Sequence, residues 1–204
     1  MLNFLMDEKI YWSHSKNSKC HVKLTNGFHS NTYFNFSLLN KFSKFKYYLE
    51  QTGLLETINN HISFIDCICG QAYGSIFFAN ILGFIFDKPV IFAEKKDDSM
   101  LVDRFSIYKP KQILLVDDVI STGFTTLKTI KNLSPLIVYP VIFSLISYNN
   151  IKTLKLNGIL YEIISGLDVK ANFYREDNCE LCKQGSVVIS KPKENWEIII
   201  GEIN

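Results

Sequence analysis

Two adjacent carboxylates, Asp117 and Asp118, stand between an apolar run and a small polar turn. The surrounding stretch, residues 113–126, reads ILLVDDVISTGFTT. Residues 113–116 suit a short buried strand. Val119 and Ile120 follow the acids, then Ser121, Thr122, Gly123, Phe124 and Thr125, then a helix-compatible run. Strand, acidic pair, polar turn and helix start outline a phosphate–sugar site. The turn offers backbone N–H groups and hydroxyls to an anion at a helix N-terminus. The carboxylates can accept hydrogen bonds from vicinal hydroxyls. No Gly-Lys-Ser/Thr follows the turn, which excludes a Walker-type loop. A single glycine excludes a dinucleotide fingerprint. A plain strand end with an N-cap uses some of the same pieces, but the whole pattern favours the anion site.

Other chemistry-bearing residues gather elsewhere. Residues 64–69 form a short apolar run ending at Gly70, Gln71, Ala72, Tyr73 and Gly74, a turn whose glycines permit close backbone approach. Residues 94–110, EKKDDSMLVDRFSIYKP, carry Lys95, Lys96 and Arg104 with almost no periodicity. Such a length is unusual for a connection in a compact domain and points to a functional flap. In residues 22–39, Asn26-Gly27 is a turn signal between β-prone runs and predicts a hairpin. Its second half groups Tyr33, Phe34 and Phe36, either a half-buried strand or an aromatic wall for a flat heterocycle. His29 reads as a polar rim residue, with ligand contact as the alternative. Five cysteines, an odd number, argue against a disulfide framework and fit a reducing cytosol. Cys179-x-x-Cys182 supplies half of a zinc site, but Cys67-x-Cys69, on a predicted buried strand, is a poor second half. Packing is therefore the favoured reading, and no direct metal ligation by side chains is expected.

These residues need a frame. Residues 1–20 predict a short helix with Tyr11 and Trp12 as core anchors, too short for a helix-turn-helix reader. Residues 41–60 read as one helix with Phe42, Phe45, Leu49 and Leu54 or Leu55 on a single face. A helix over 75–86, a strand over 90–93 after Pro89, a helix over 126–133 and strands over 136–147 and 159–165 follow. The last apolar run, 196–200, looks strand-like. Strands alternating with helices imply a parallel α/β sheet with its site at the carboxyl ends of the strands. A chain of 204 residues, 47% of them hydrophobic, builds one domain with a full core. A formal charge of +2 gives no reason to expect nucleic acid. The longest apolar runs, 76–86 and 136–146, are too short to span a bilayer, and Asp7 and Glu8 do not suit a secretory signal. A cytoplasmic location is expected.

Several segments, in order, resemble the orotate phosphoribosyltransferases, a type I phosphoribosyltransferase family, in its shorter-loop branch. GFHSNTYFN is similar to the family's Gly-x-His-Ser-x-x-Tyr hairpin, and CGQAYGSIFFANILGF to its diphosphate loop and following helix. PVIFAEKK resembles the strand that opens the flexible loop. MLVDRFSIYKPKQILLVDDVISTGFTT resembles the flap and the phosphoribosyl-diphosphate (PRPP) signature, and CELCKQGSVVISKP the branch's Cys-Pro-Leu-Cys ending.

The resemblance implies a central parallel sheet flanked by helices, in a single domain over 1–204. The hood would be 20–40 with 167–204, and the core 41–166. It implies transfer of ribose 5-phosphate from PRPP to orotate, giving orotidine 5′-monophosphate and diphosphate with Mg²⁺ in pyrimidine synthesis. It implies a homodimer whose flap reaches the neighbour's site. Asp117, Asp118, Lys95 and Arg104 would be catalytic. Residues Asp117 to Thr125, with Lys95 and Lys96, would bind PRPP, and Gly70 to Gly74 the diphosphate. Ser121, Tyr33, Phe34 and Tyr148 would face the base. The chemistry agrees: cleaving the C1–O bond builds positive charge on ribose and negative charge on diphosphate. Carboxylates suit the first and lysine plus Mg²⁺ the second.

The sequence also departs from the pattern. Phe28 replaces a common arginine, Gln71 the loop proline, Ser75 the second loop glycine, and Phe124 a frequent glycine. Ser147-Tyr148 stands where the family usually has Asp-Arg. Losing that arginine removes the main electrostatic reason to prefer a carboxylated pyrimidine. PRPP is thus better supported than orotate, and another base, or a non-catalytic PRPP or nucleotide sensor, stays an alternative.

Overall fold

The computed structural model describes residues 1–15, 18–71, 74–96, 99–102, 112–133 and 138–201. The chain opens with α1 (Leu2–Asp7), β1 (Tyr11–Ser13), β2 (Cys20–Lys23), β3 (His29–Ser30) and β4 (Thr32–Phe34). Two helices, α2 (Phe42–Gln51) and α3 (Leu54–His61), lead to β5 (Cys67–Gln71), α4 (Ile76–Phe86), β6 (Val90–Lys96) and β7 (Ser99–Leu101). Then come β8 (Ile113–Ile120), α5 (Phe124–Asn132), β9 (Val141–Tyr148), β10 (Thr153–Leu156) and β11 (Ile159–Val169). The chain closes with β12 (Phe173–Tyr174), α6 (Glu180–Lys183), β13 (Val187–Ile189) and α7 (Trp196–Ile199). It divides into two compact units: Met1–Leu39 with Lys170–Asn204, and Asn40–Val169. No helix among the described residues is long and apolar enough to cross a membrane.

The second unit is built on a seven-stranded sheet in the order β10-β11-β9-β8-β5-β6-β7. Its five inner strands run parallel, and β10 and β7 close the edges antiparallel. Residues 113–117 of β8 are all buried, as expected where both faces of a parallel strand are covered. One face packs Cys67, Cys69, Ile91, Ala93, Ile113, Leu115 and Ile142 with Ile130 and Leu133 at the α5 end. On the α2 side, the Tyr48 hydroxyl donates to the Leu145 carbonyl at 2.7 Å, and Phe45 packs on Phe77 and Phe78 of α4. The antiparallel β10–β11 pair turns at Asn157-Gly158, with φ of 51° and 83°. Both central residues at positive φ are what a tight hairpin turn requires.

The first unit carries a four-stranded sheet, β12-β3-β2-β13, and a two-stranded ribbon, β1-β4. Its small cluster is Val22, Trp196 and Ile199, with Trp12, Tyr33 and Ile189 against it. α1 and β1, which precede residue 20, belong to this unit as well.

Three expectations fail here for local reasons. The helix over 41–60 is two helices, because Gly53 takes φ 69° and starts α3 instead of continuing α2. Residues 94–96 and 99–101 are not irregular: β6 runs on to Lys96 and pairs with β7, Lys95 opposite Met100. The strand-like 196–200 run is the short helix α7. There Trp196 packs on Tyr33 at 5.8 Å and its Nε1–H donates to the Lys9 carbonyl at 2.8 Å. An anchored indole outweighs the β-propensity of three isoleucines.

Candidate functional site

In the second unit the parallel strands β9, β8, β5 and β6 bring their carboxyl ends to one edge of the sheet. The chain leaves β5 for β6 on one side and later fills β8 and β9 on the other. Strand order therefore reverses between β5 and β8, and the crevice outside a parallel sheet opens at such a point. Asp117 and Asp118 lie at the end of β8, Gly70 and Gln71 at the end of β5, and Gly74 before α4.

The two segments meet closely. A methyl group placed on Gly74 would overlap the Asp118 carboxylate. Gly70 is nearly as confined: a methyl there would meet the Ala79 Cβ at 3.0 Å and the Ser75 carbonyl at 3.1 Å. Glycine at Gly74 thus brings the loop backbone against the acidic pair. The Asp118 N–H donates to Asp117 Oδ1 at 2.9 Å, and the Val119 N–H to Asp118 Oδ1 at 3.0 Å. Both carboxylates are thereby oriented by their own strand end.

Burial, and then the Asp118 charge beside it, pushes the Asp117 carboxyl well above the usual carboxylate range. The folded chain then binds this proton more tightly than the unfolded chain does. Stability falls as pH rises from the ordinary carboxylate value through the raised one. Asp117→Asn keeps an oxygen for the Asp118 N–H and removes the charge. It is expected to melt above the wild type at pH 7, with the difference fading toward about pH 4. Each kcal/mol of relief would appear as about 2–4 °C in Tm. A variant that melts lower at pH 7 in calorimetry would contradict this.

Beyond the acids, Gly123 turns the chain into α5 with φ 72° and caps that helix. A side chain there would also strike Leu154, so two separate constraints call for glycine. The Phe124 N–H makes a long bond, 3.4 Å, to Thr122 Oγ1. Ser121 is half-buried, whereas Thr122 and Thr125 are exposed at the helix start. The turn and the first turn of α5 thus hold amides and hydroxyls where an anion is favoured. Lys128 lies 4.6 Å above the Phe124 ring, which is itself exposed.

The other candidates separate. Lys95 and Lys96 end β6 on the same sheet edge, with exposed side chains. Gln71 is fully buried, and neither its Oε1 nor its Nε2 has a hydrogen-bond partner among the described residues. Ala72, Tyr73 and Arg104 lie outside the described residues. Tyr148 is buried at the end of β9. Tyr33 and Phe34 belong to the first unit, and Phe34 lies in its core. It is 4% exposed and stacked between Tyr11, at 4.5 Å, and Phe36, at 5.7 Å.

One acid escaped the sequence reading. Asp168 on β11 lies opposite Ser147 in register. Its Oδ1 accepts from the Ser147 hydroxyl at 2.9 Å and from the Asn150 N–H at 2.7 Å. The β9 end that lacks an aspartate of its own is thus served by one from the next strand. Only the register places it there.

No protein-family model matches the chain. It is 30% identical over 171 residues to the orotate phosphoribosyltransferase of Chlorobium phaeobacteroides, covering 81% of this chain and 83% of the relative. To that of Campylobacter hominis it is 28% identical over 193 residues, covering 89% and 95%. Among solved structures, orotate phosphoribosyltransferase from Aeropyrum pernix superposes with a TM-score of 0.59 at 19% identity, over 82% of this chain and 94% of that one. Leishmania donovani UMP synthase gives 0.60 at 16%, over 98% of this chain and 41% of that one. These two show the fold.

Proposed function

Because this chain belongs to the orotate phosphoribosyltransferase family, we propose that it transfers ribose 5-phosphate from PRPP to a ring nitrogen of orotate. The products are orotidine 5′-monophosphate and diphosphate, a step of pyrimidine synthesis. The observation that carries this reading is the close approach of Gly74 to Asp118 at the β5–β8 crevice. It supports reading Gly70–Gly74 as a diphosphate loop beside a sugar-binding acidic pair.

Asp117 and Asp118 accept hydrogen bonds from the ribose hydroxyls and favour the positive charge that grows as the C1–O bond breaks. The Ser121 to Thr125 turn holds the 5′-phosphate on its amides. The loop from Gly70 to Gly74 approaches the diphosphate, and Gln71 Nε2, which has no hydrogen-bond partner among the described residues, is a donor for it. Lys95 and Lys96, with Arg104, supply positive charge to the leaving group, and Ser121 and Tyr148 border the base.

The donor set fits Mg²⁺: two hard carboxylates, one buried against the charge of the other. Mg²⁺ keeps several waters and is held largely through substrate phosphates, so Asp117 and Asp118 would hold it with the sugar and not cage it. Once bound it neutralises developing negative charge on diphosphate. The domain over 1–204 works in the cytoplasm as a homodimer in this reading.

The test is an acceptor panel with PRPP and Mg²⁺: orotate, uracil, adenine and hypoxanthine. Orotate is expected to be consumed with stoichiometric diphosphate release and at least about tenfold preference in kcat/KM, the scale of one lost polar contact. Turnover of a purine alone would reassign the base, a possibility kept open by Ser147-Tyr148. PRPP binding without diphosphate release on any base would replace the enzyme with a sensor.

A further inference from the structure

The first unit brings together four side chains that the phosphoribosyl chemistry does not use: His21, His29, Cys179 and Cys182. One ligand atom from each lies within 4.8 Å of every other. His21 Nε2 is 3.1 Å from His29 Nδ1, 3.4 Å from Cys182 Sγ and 3.6 Å from Cys179 Sγ. Cys182 Sγ is 3.4 Å from His29 Nδ1. His21, His29 and Cys179 are at most 2% exposed.

Hydrogen bonding among these groups does not account for the arrangement. His21 Nδ1 lies 2.9 Å from Ser186 Oγ. If that nitrogen carries the proton, His21 Nε2 offers one lone pair to three neighbours, and can serve only one. A shared cation serves all four. Tetrahedral Zn²⁺ with its usual bond lengths needs about 3.3 Å between two nitrogens and about 3.6 Å between nitrogen and sulfur. These four separations fall at or just below those values, and the remaining two pairs lie within 4.8 Å.

We propose that His21, His29, Cys179 and Cys182 form a structural Zn²⁺ site. Four protein ligands leave no open position, so the site is closed and not catalytic. Two Zn–S and two Zn–N bonds form while both thiols release their protons to solvent, with no change of oxidation state.

The backbone explains how the ligands meet. Lys23 pairs with His29 across β2 and β3, so His21, two residues before Lys23, shares its face and sits diagonal to His29. Cys179 caps α6 and Cys182 lies on it. β13 then returns alongside β2, with Val188 opposite His21. The metal thus ties the tail to the hairpin within the first unit. Small units commonly gain stability from such a staple. The Ser186 hydroxyl orients His21 from behind, as outer partners of ligating histidines do.

The test uses the full chain, purified with reductant and without chelator, then loaded with Zn²⁺ and desalted. Elemental analysis is expected to find one zinc per chain, and removal with a strong chelator to lower Tm. Loaded with Co²⁺ instead, wild type should show intense tetrahedral d–d absorption and sulfur-to-metal charge transfer, a readout that needs no variant to fold. Cys182→Ala should lose the metal, Cys20→Ser should keep it, and Ser186→Ala should weaken affinity by about 10- to 100-fold. Zinc well below one per chain after loading, a weak octahedral cobalt spectrum, or full zinc in both Cys182→Ala and His21→Ala would each overturn the proposal. So would a Cys179–Cys182 disulfide in the native protein. None of these readouts depends on which base is the acceptor.

Discussion

Asp118→Asn is expected to lower kcat by about 10²- to 10³-fold, the loss typical of removing one preorganised electrostatic group from a transition state. The substitution is nearly isosteric. Its remaining oxygen can still accept from the Val119 N–H, 3.0 Å away in the native chain, so the β8 end should keep its shape. What disappears is the negative charge beside the sugar. The split between constants is diagnostic. If Asp118 only grips ground-state hydroxyls, KM for PRPP rises and kcat holds. If it favours the cation that grows at C1, kcat carries the loss. Steady-state kinetics with PRPP varied at saturating base separates these outcomes. Unchanged kcat and KM would remove Asp118 from the proposed chemistry altogether.

Gly74→Ala is the second large effect, and it acts through position alone. The new methyl would overlap the Asp118 carboxylate, so either the loop or the acid must move. A misplacement of about 1 Å at a reacting centre costs on the order of 10²-fold. We expect that loss in kcat/KM for PRPP with little change in Tm, because Gly74 is half-exposed. A double-mutant cycle sharpens the test. If both substitutions disturb the same carboxylate, Gly74→Ala with Asp118→Asn should lose little more than Asp118→Asn alone. Fully additive losses would mean that the loop acts elsewhere. Gly27→Ala is the control: its φ of 86° makes the change strained, yet nothing lies within 4 Å of the new methyl. It should cost stability and leave the kinetics alone.

Much of the proposed site was legible because its pieces are contiguous. Residues 113–126 contain a strand end, two acids, a glycine turn and a helix start, all within one local β–turn–α segment. Gly123 is readable for the same reason, since its positive φ is a demand of the turn itself. The Asn157-Gly158 signal was equally local, and would have revealed the β10–β11 hairpin. Gly53 was harder: both sides of it are apolar at helical spacing, and only its left-handed φ breaks the run. Trp196 shows the opposite failure. Its flanking isoleucines favour a strand by propensity, while the indole contacts with Tyr33 and Lys9 that hold a helix come from distant sequence.

By itself, then, the sequence determined the local pieces of the proposed donor site: local spacing places acids, turn amides and a glycine loop on successive β–turn–α segments. It also determined the parallel α/β class, because buried strands alternate with helices. Only the tertiary structure decided what depends on register and strand order. Placing β5 beside β8 puts Gly74 against Asp118. Register sets Asp168 opposite Ser147, and burial puts Phe34 in the core of the first unit. It alone gathered two histidines of a hairpin and two cysteines about 150 residues later around one point. Spacing along the chain carries no information about such a meeting. Strand pairing and a folded-back tail create it, through contacts between residues that are remote in sequence.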